Sequence, residues 1–257
     1  MSTHPDLVAL HTVARREVVR ILRIWAQTLV PPAITMTLYF LIFGTLIGRR
    51  IGDMGGYDYM DFIVPGLVMM SIIQNSYGNI SSSFFGAKFG RHIEELLVSP
   101  MPNWVILGGY VAGAVLRGLM VGVIVLAIAM CFTRVRVPHP WVMLTTVLLG
   151  ATIFSLAGFI NAVYAKKFDD VTIVPTFILT PLTYLGGVFY SVTLLPAWAQ
   201  AATHANPIFY MVNAFRYGLL GSSDVPLATA YALMIGFTIA LTALALWLLK
   251  RGVGLRS

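Results

Sequence analysis

Long runs without a charged side chain follow one another along the chain, and they predict a bundle of membrane-spanning helices. One helical crossing of a bilayer needs about 20 consecutive apolar residues. Five runs that are neutral, or broken by a single arginine, each predict one span, and they cover residues 24–48, 62–87, 103–133, 137–165 and 225–249.

A sixth run, from Val171 to Phe215, is 45 residues long, which is too much for one span and nearly enough for two. The positive-inside rule chooses between these readings. With a single crossing, eleven basic residues fall on one side of the membrane: Arg15, Arg16, Arg20, Arg23, Lys88, Arg91, Lys166, Lys167, Lys250, Arg251 and Arg256. The other side keeps only Arg49, Arg50, Arg134, Arg136 and Arg216. The sequence therefore predicts six spans with both termini cytoplasmic.

The residues that one crossing leaves over predict a re-entrant helical hairpin at about 193–217, entering from the outer face. Prolines interrupt this stretch, and non-helical backbone survives at membrane depth only against protein or a cavity. The alternative is an amphipathic loop on the outer surface, but the stretch is very apolar for a wet loop. The candidate hairpin residues are Pro196, Trp198, Asn206, Pro207, Phe215 and Arg216.

Residues 5–25 predict a basic amphipathic helix that lies along the membrane interface. Leu7, Leu10, Ala14, Val18, Ile21, Leu22 and Trp25 recur at steps of three and four, while Arg16, Arg20 and Arg23 share another face. Such a helix turns its arginines toward lipid head groups. The chain is expected to turn at Pro31-Pro32, because proline is tolerated where a helix begins.

Polar side chains inside two predicted spans are candidates for a substrate path. Ser71, Asn75 and Asn79 share one face of the second span with Gln74 beside them, and Arg117 interrupts the third. Polar groups in lipid must face protein or water. The alternatives are ordinary hydrogen bonds between helices for the amides, and snorkelling to the inner head groups for Arg117.

The loop after the second span, at about 88–100, predicts a short helix that docks on a soluble partner. It combines charge, apolar residues and a proline stop on the predicted cytoplasmic side. A solvated turn of helix is the alternative, but it would leave Phe89, Ile93, Leu96 and Leu97 in water.

Composition agrees with a membrane protein, since 58% of the residues are hydrophobic and only 11% are charged. The net charge of +7 flanks the apolar runs instead of forming a separate patch, which argues against nucleic acid as a partner and for contact with membrane lipid. A lone cysteine, Cys131, excludes an intramolecular disulfide.

Motifs for catalysis are missing from the sequence. There is no G-x-x-x-x-G-K-[ST] loop for nucleotide phosphates, no H-E-x-x-H, and no carboxylate pair within a predicted span. The sequence therefore predicts a transport protein that is not an enzyme and binds neither metal nor cofactor itself. Without a motor or an ion relay, its energy is expected to come from a partner. A stand-alone channel or secondary carrier is the competing hypothesis.

Three stretches carry a resemblance to ABC-2 type transporter permeases, and the similarity covers essentially the whole chain. They are residues 94–100 (EELLVSP), 161–175 and 180–190 (TPLTYLGGVFY), with 206–218 fitting the same group. The sequence looks closest to bacterial inner-membrane permeases related to nodulation-factor and drug exporters.

This resemblance implies an all-α integral membrane fold of the type V ABC exporter kind, in one permease domain spanning residues 1–257. It implies six spans, an interface helix, a coupling helix and a hairpin. It also implies a dimer, expected to be a homodimer, driven by two cytoplasmic ATPase subunits that bind ATP and Mg²⁺. The residues expected to engage the ATPase are Arg91, Glu94, Glu95, Leu96 and Leu97. The exit path would lie between the two permease copies and include Tyr184, with a lipid, a glycolipid or polysaccharide, or a hydrophobic drug as cargo.

Overall fold

The fold is known from a computed structural model that describes residues 5–93 and 100–254, with the backbone alone for Arg49. It is mostly helical. The helices are α1 (Pro5–Arg23), α2 (Trp25–Tyr39), α3 (Gly48–Ile51), α4 (Tyr59–Phe89), α5 (Asn103–Ala129), α6 (Pro140–Tyr164), α7 (Phe168–Val174), α8 (Thr180–Tyr184), α9 (Ala197–His204), α10 (Pro207–Leu220) and α11 (Leu227–Arg251). Phe40–Ile47 and Pro175–Leu179 are π-helical, and Val192–Leu194 is a 3₁₀ turn.

Four helical segments in the described part of the chain are long and apolar enough to cross a membrane: Trp25–Ile47, Asn103–Ala129, Pro140–Tyr164 and Leu227–Arg251. They coincide with four of the six predicted spans. The other two predicted spans fall on α4, where amide and hydroxyl side chains dilute the apolar ones, and on residues 168–184, where the helical run changes type twice.

Helix α4 forms the centre of the bundle, because it packs along α5 on one side and α6 on the other. Most of its side chains are buried against other helices, so its polar side chains are shielded from the surroundings of the bundle. Small residues allow these helices to approach closely. A Cβ at Gly158 of α6, for example, would lie 2.6 Å from the carbonyl oxygen of Tyr77 in α4.

The N-terminal helix α1 packs on α5 and is separated from α2 by a break at Ile24 (φ −111°, ψ 31°). The predicted turn at Pro31-Pro32 is wrong, because both prolines lie inside α2. Both prolines lie in the middle of the helix, which continues through them although each removes one backbone donor. The break between the two helices therefore comes about two helical turns earlier than expected.

A small β-hairpin joins the first apolar segment to α4 and departs from the all-helical prediction. Strand β1 (Asp53–Met54) pairs antiparallel with β2 (Tyr57–Asp58), and Met54 lies opposite Tyr57. Gly55 and Gly56 connect them with positive φ angles of 62° and 81°. This two-residue turn with both φ values positive is the type that matches the twist of paired strands, and glycine adopts it without strain.

The stretch between α8 and the last apolar segment contains two short helices, α9 and α10, on either side of Ala205-Asn206. The Asn206 side chain caps α10 by accepting from the backbone N–H of Ile208 (3.0 Å), and it donates to the carbonyl oxygen of Leu182 (2.6 Å). Helix α10 packs on α4, α6 and α11, and its Phe215 is fully buried.

Candidate functional site

Charged and amide side chains from α1, α4 and α5 meet at the end of the bundle that carries the N-terminal helix. We call this group the polar cluster. It consists of Arg16, Glu17 and Arg20 of α1, Asn75, Asn79 and Ser83 of α4, and Tyr110 and Arg117 of α5.

Glu17 is the anionic centre of the polar cluster, with only 2% of its surface exposed. Arg20 donates to its carboxylate over 2.9 Å and Ser83 over 2.7 Å, while an Arg16 nitrogen lies 3.6 Å away. A buried carboxylate is tolerated only when it is paired and hydrogen-bonded, and these contacts meet that requirement. Gly113 of α5 makes the burial possible, because a side chain there would collide with the Cβ of Glu17.

Arg20 connects Glu17 to the polar stripe of α4. One guanidinium nitrogen that binds Glu17 also donates to the side-chain oxygen of Asn79 over 2.8 Å. Arg20 is therefore hydrogen-bonded within the protein, while 32% of its side chain stays exposed, and its predicted contact with lipid head groups stays a prediction. Arg16 contacts both the protein and its surroundings, since it donates to the Tyr110 hydroxyl over 2.7 Å and remains half exposed. Arg23 is exposed.

Arg117 lies on the inward side of α5 and faces the same stripe. Its guanidinium nitrogens lie 3.4 Å from the side-chain oxygen of Asn75 and 3.5 Å from that of Asn79. The amide of Asn79 thus accepts from two arginines on two different helices. The Nδ2 of Asn79 and the Nε of Arg117 are buried donors without a partner among residues 5–93 and 100–254.

The remaining path candidates lie outside the polar cluster. Ser71 is buried and donates to its own helix at Leu67, and Gln74 is half-buried beside it. Tyr184 belongs to an aromatic group in which its hydroxyl lies 3.0 Å from that of Tyr39. The rings of Phe43 and Phe189 pack next to these tyrosines, with centroids 4.8 Å apart.

The predicted coupling segment is described only at its start. Arg91 is exposed and has a left-handed backbone (φ 59°) just past the end of α4. Glu94, Glu95, Leu96 and Leu97 lie outside the described residues. Lys88 donates to the carbonyl oxygens of Val163 and Ala165 at the end of α6, each over 2.7 Å, and so ties that end of α6 to α4.

The hairpin candidates fall into an exposed group and a buried group. Pro196 caps α9 and is exposed, and Trp198 is 76% exposed. Arg216 of α10 is buried, donates to the carbonyl oxygen of Gly187 over 2.6 Å, and lies 4.0 Å above the Phe62 ring. The cation–π contact holds α10 against the start of α4, and the hydrogen bond holds it to the turn at Gly187.

Three members of the polar cluster do not follow from the sequence analysis: Glu17, Ser83 and Tyr110. Glu17 carries a signal, because it lies four residues from both Val13 and Ile21, the other buried side chains of α1. A carboxylate at the centre of a buried i, i+4 row indicates a partner in the bundle. Ser83 and Tyr110 carry no such signal, since their roles depend on how α4 and α5 meet α1.

The described residues thus define a multi-pass helical membrane protein whose polar groups are gathered between helices, with no group of metal-ligand side chains among them. The family model for ABC-2 type transporters matches residues 8–220, and the chain belongs to that family. It is a transport permease, the membrane component of an ABC transporter, and members of this family work with a cytoplasmic ATP-binding partner.

Similarity to known permeases runs over almost the entire length. The chain is 59% identical over 255 residues to the inner membrane transport permease YadH of Escherichia coli strain K12, which covers 99% of both chains. It is 24% identical over 216 residues to nodulation protein J of Sinorhizobium fredii strain NBRC 101917 / NGR234, covering 84% of this chain and 82% of that one. The resemblance inferred from the sequence is therefore confirmed.

Proposed function

We propose that this permease is the membrane half of an ATP-driven exporter in which two copies of the chain form the path. Two copies of a separate cytoplasmic ATPase bind ATP and Mg²⁺ and drive it. Each permease crosses the membrane six times, with α4 and the helical run from residue 171 to residue 184 added to the four apolar segments, so Asp169 and Asp170 lie at the cytoplasmic border of the fifth span. The architecture is that of a type V ABC exporter.

Both termini are assigned to the cytoplasm, because the eleven basic residues counted above then share that side. The polar cluster becomes the cytoplasmic end of the bundle, and α9 and α10 lie at the outer end. We assign residues 193–217 to a re-entrant hairpin. The burial of Phe215 and Arg216 against the bundle supports this assignment, since a surface loop leaves such side chains accessible.

The polar cluster is the observation that carries the proposal. An element at the cytoplasmic face, α1, is joined through Glu17 and Arg20 to Asn79 in the central helix, and Asn79 is joined to Arg117. A displacement imposed on α1 from outside the membrane therefore reaches the polar stripe directly. A permease driven by a soluble partner needs such a connection.

The path is assigned to the faces of the first, second and fifth spans. An aromatic group lies between the first and fifth spans. It consists of Tyr39 and Phe43 of the first span, Tyr184 of the fifth, and Phe189, which follows the fifth span; Tyr184 is 40% exposed. Aromatic rings pack against apolar chains and the faces of sugars, whereas the half-buried amide of Gln74 on the second span can bind polar groups. This combination favours an amphiphilic cargo: a lipid, a glycolipid or polysaccharide, or a hydrophobic drug.

Charge reversal in the coupling segment tests the proposal. We expect the E94K/E95K variant to insert and dimerise normally but to lose ATPase association in co-purification and ATP hydrolysis in proteoliposomes. The matched control is D53K/D58K, which reverses two exposed acids in the β-hairpin at the opposite end and is expected to leave association unchanged.

Two results would contradict this function. One is unchanged ATPase association and stimulation in E94K/E95K. The other is transport by proteoliposomes that contain this chain alone under an ion gradient, which indicates a stand-alone channel or secondary carrier.

A further inference from the structure

A basic groove of about 600 Å³ opens beside the polar cluster, between α1 and the ends of α4 and α5. Its lining alternates charged and apolar side chains of α1 with residues from the facing helices. The charged side chains in the lining are Arg15, Arg16, Glu17, Arg20 and Arg23.

The groove is strongly electropositive, because four arginines line it with one glutamate, a formal net charge of +3. Glu17 does not strongly repel an incoming anion, since it is buried and its carboxylate already accepts hydrogen bonds from Arg20 and Ser83. It instead fixes Arg20 at the base of the groove. Arg15 and Arg23 are exposed at the rim, and no ion pair joins either to the residues that the structure describes.

The shape of the groove suits an amphiphile more than a free anion. Val19, Ile24 and Ala87 form its apolar walls. The neighbouring surface of α1 and α2 stays apolar as well, with Leu22 52% and Trp25 58% exposed. A tryptophan and basic side chains at one level are the usual arrangement at the membrane–water interface. An occupant with a phosphate head and acyl chains satisfies both parts.

We propose that this groove is a binding site for an anionic phospholipid of the inner leaflet, with the phosphate held by the α1 arginines. Basic pockets between helices on the cytoplasmic side bind lipid head groups of this kind. Arg15 and Arg23 provide positive charge that no ion pair among the described residues neutralises. The hydrogen-bonded pair of Arg16 and Tyr110 forms one wall of the groove. The bound lipid fastens α1 to the bundle and so stabilises the polar cluster. The inner-leaflet assignment rests on the orientation proposed above, whereas binding itself does not.

Native mass spectrometry of the purified permease in neutral detergent tests the site. The probes are phosphatidylglycerol and phosphatidylcholine with identical acyl chains. We expect the first phosphatidylglycerol to bind R15Q/R23Q about thirty-fold more weakly than the parent, which corresponds to about 1 kcal/mol for each arginine near an anionic surface. Both arginines are exposed, so the variant retains the contacts of the folded chain.

The matched control is R134Q/R136Q, which removes two exposed arginines elsewhere on the molecule and is expected to bind the lipid like the parent. Equal binding of the two lipids by the parent overturns the proposal. An equal loss of affinity in both double variants also overturns it, because net charge alone then governs binding. Displacement of the lipid by millimolar inorganic phosphate identifies a free-anion site and overturns the lipid assignment. None of these results depends on the ATPase.

Discussion

Replacing Glu17 by Gln tests whether the polar cluster holds α1 on the bundle. The substitution preserves the size and most of the shape of a side chain that is 2% exposed, but it removes the charge to which Arg20 and Ser83 donate. Hydrogen bonds to charged groups contribute about 1.5–3 kcal/mol, whereas neutral ones contribute about 0.5–1.5 kcal/mol.

The expected loss follows from these two bonds. The Ser83 bond, at 2.7 Å, loses about 1 kcal/mol when its acceptor becomes neutral. The Arg20 side chain is 32% exposed, so solvent screens its part of the pair, and its share is no larger. Together they give a destabilisation of about 2 kcal/mol. For a chain of this size, that lowers the unfolding temperature by about 4–8 °C.

Thermal unfolding in detergent, followed by circular dichroism, measures the effect. Arg23→Gln is the control on the same helix, because Arg23 is exposed and no ion pair joins it to the residues that the structure describes, so we expect a shift less than half as large. The double variant E17Q/R20Q should be more stable than the sum of the single changes predicts by about 1 kcal/mol. Strict additivity, or an E17Q protein as stable as the parent, would refute the assignment of Glu17 as the anionic centre.

Two further predictions concern the packing of α4 and the start of α7. Gly158→Ala places a Cβ 2.6 Å from the Tyr77 carbonyl oxygen and should cost about 1–3 kcal/mol, whereas Gly236→Ala meets nothing within 4 Å and should be neutral, as urea or SDS titration can show. Asp170 accepts from two backbone N–H groups of the preceding lysines, which lowers the pKa of its carboxyl below the ordinary 3.8. Its stabilisation is therefore present above that pH and is lost as the pH falls through the lowered pKa. The unfolding difference between the parent and Asp170→Asn should shrink accordingly in acid, and a pH-independent difference would contradict this.

The bounds of the long apolar helices can be predicted well from the sequence, because a side chain surrounded by lipid has to be apolar and a run of such residues marks the helix. The fourth run was predicted at 137–165 and forms a helix at Pro140–Tyr164, and the last was predicted at 225–249 and forms Leu227–Arg251. The prediction of a turn at Pro31-Pro32 was wrong because α2 accommodates both prolines. The β-hairpin was missed because two-residue strands are too short to show a period, and only Gly55-Gly56 indicated a turn.

The site was predictable in its composition but not in its contacts. Asn75, Asn79 and Arg117 are conspicuous as polar groups in apolar runs, so the sequence identifies them. Their partners come from α1, which is distant along the chain. Arg20 and Asn79 are separated by 59 positions, and no local periodicity encodes such a meeting. The helix α1, which the sequence predicts to be wholly interfacial, therefore presents one face to the bundle and leaves Val19 and Leu22 exposed on another.

The short hairpin between the first apolar segment and α4 has a consequence for movement. Tyr59 donates its backbone N–H to the carbonyl oxygen of Gly52 over 3.2 Å, and the two strands between them pair with each other. The first apolar segment and α4 are therefore held together at that end. At its other end the first segment meets α1 at Ile24, where the helix is interrupted. The segment is therefore held to α4 at its hairpin end and is joined to α1 through a break in the helix at its other end. In the dimer proposed above, a widening of the path is therefore expected to displace this segment most next to α1 and least at the β-hairpin.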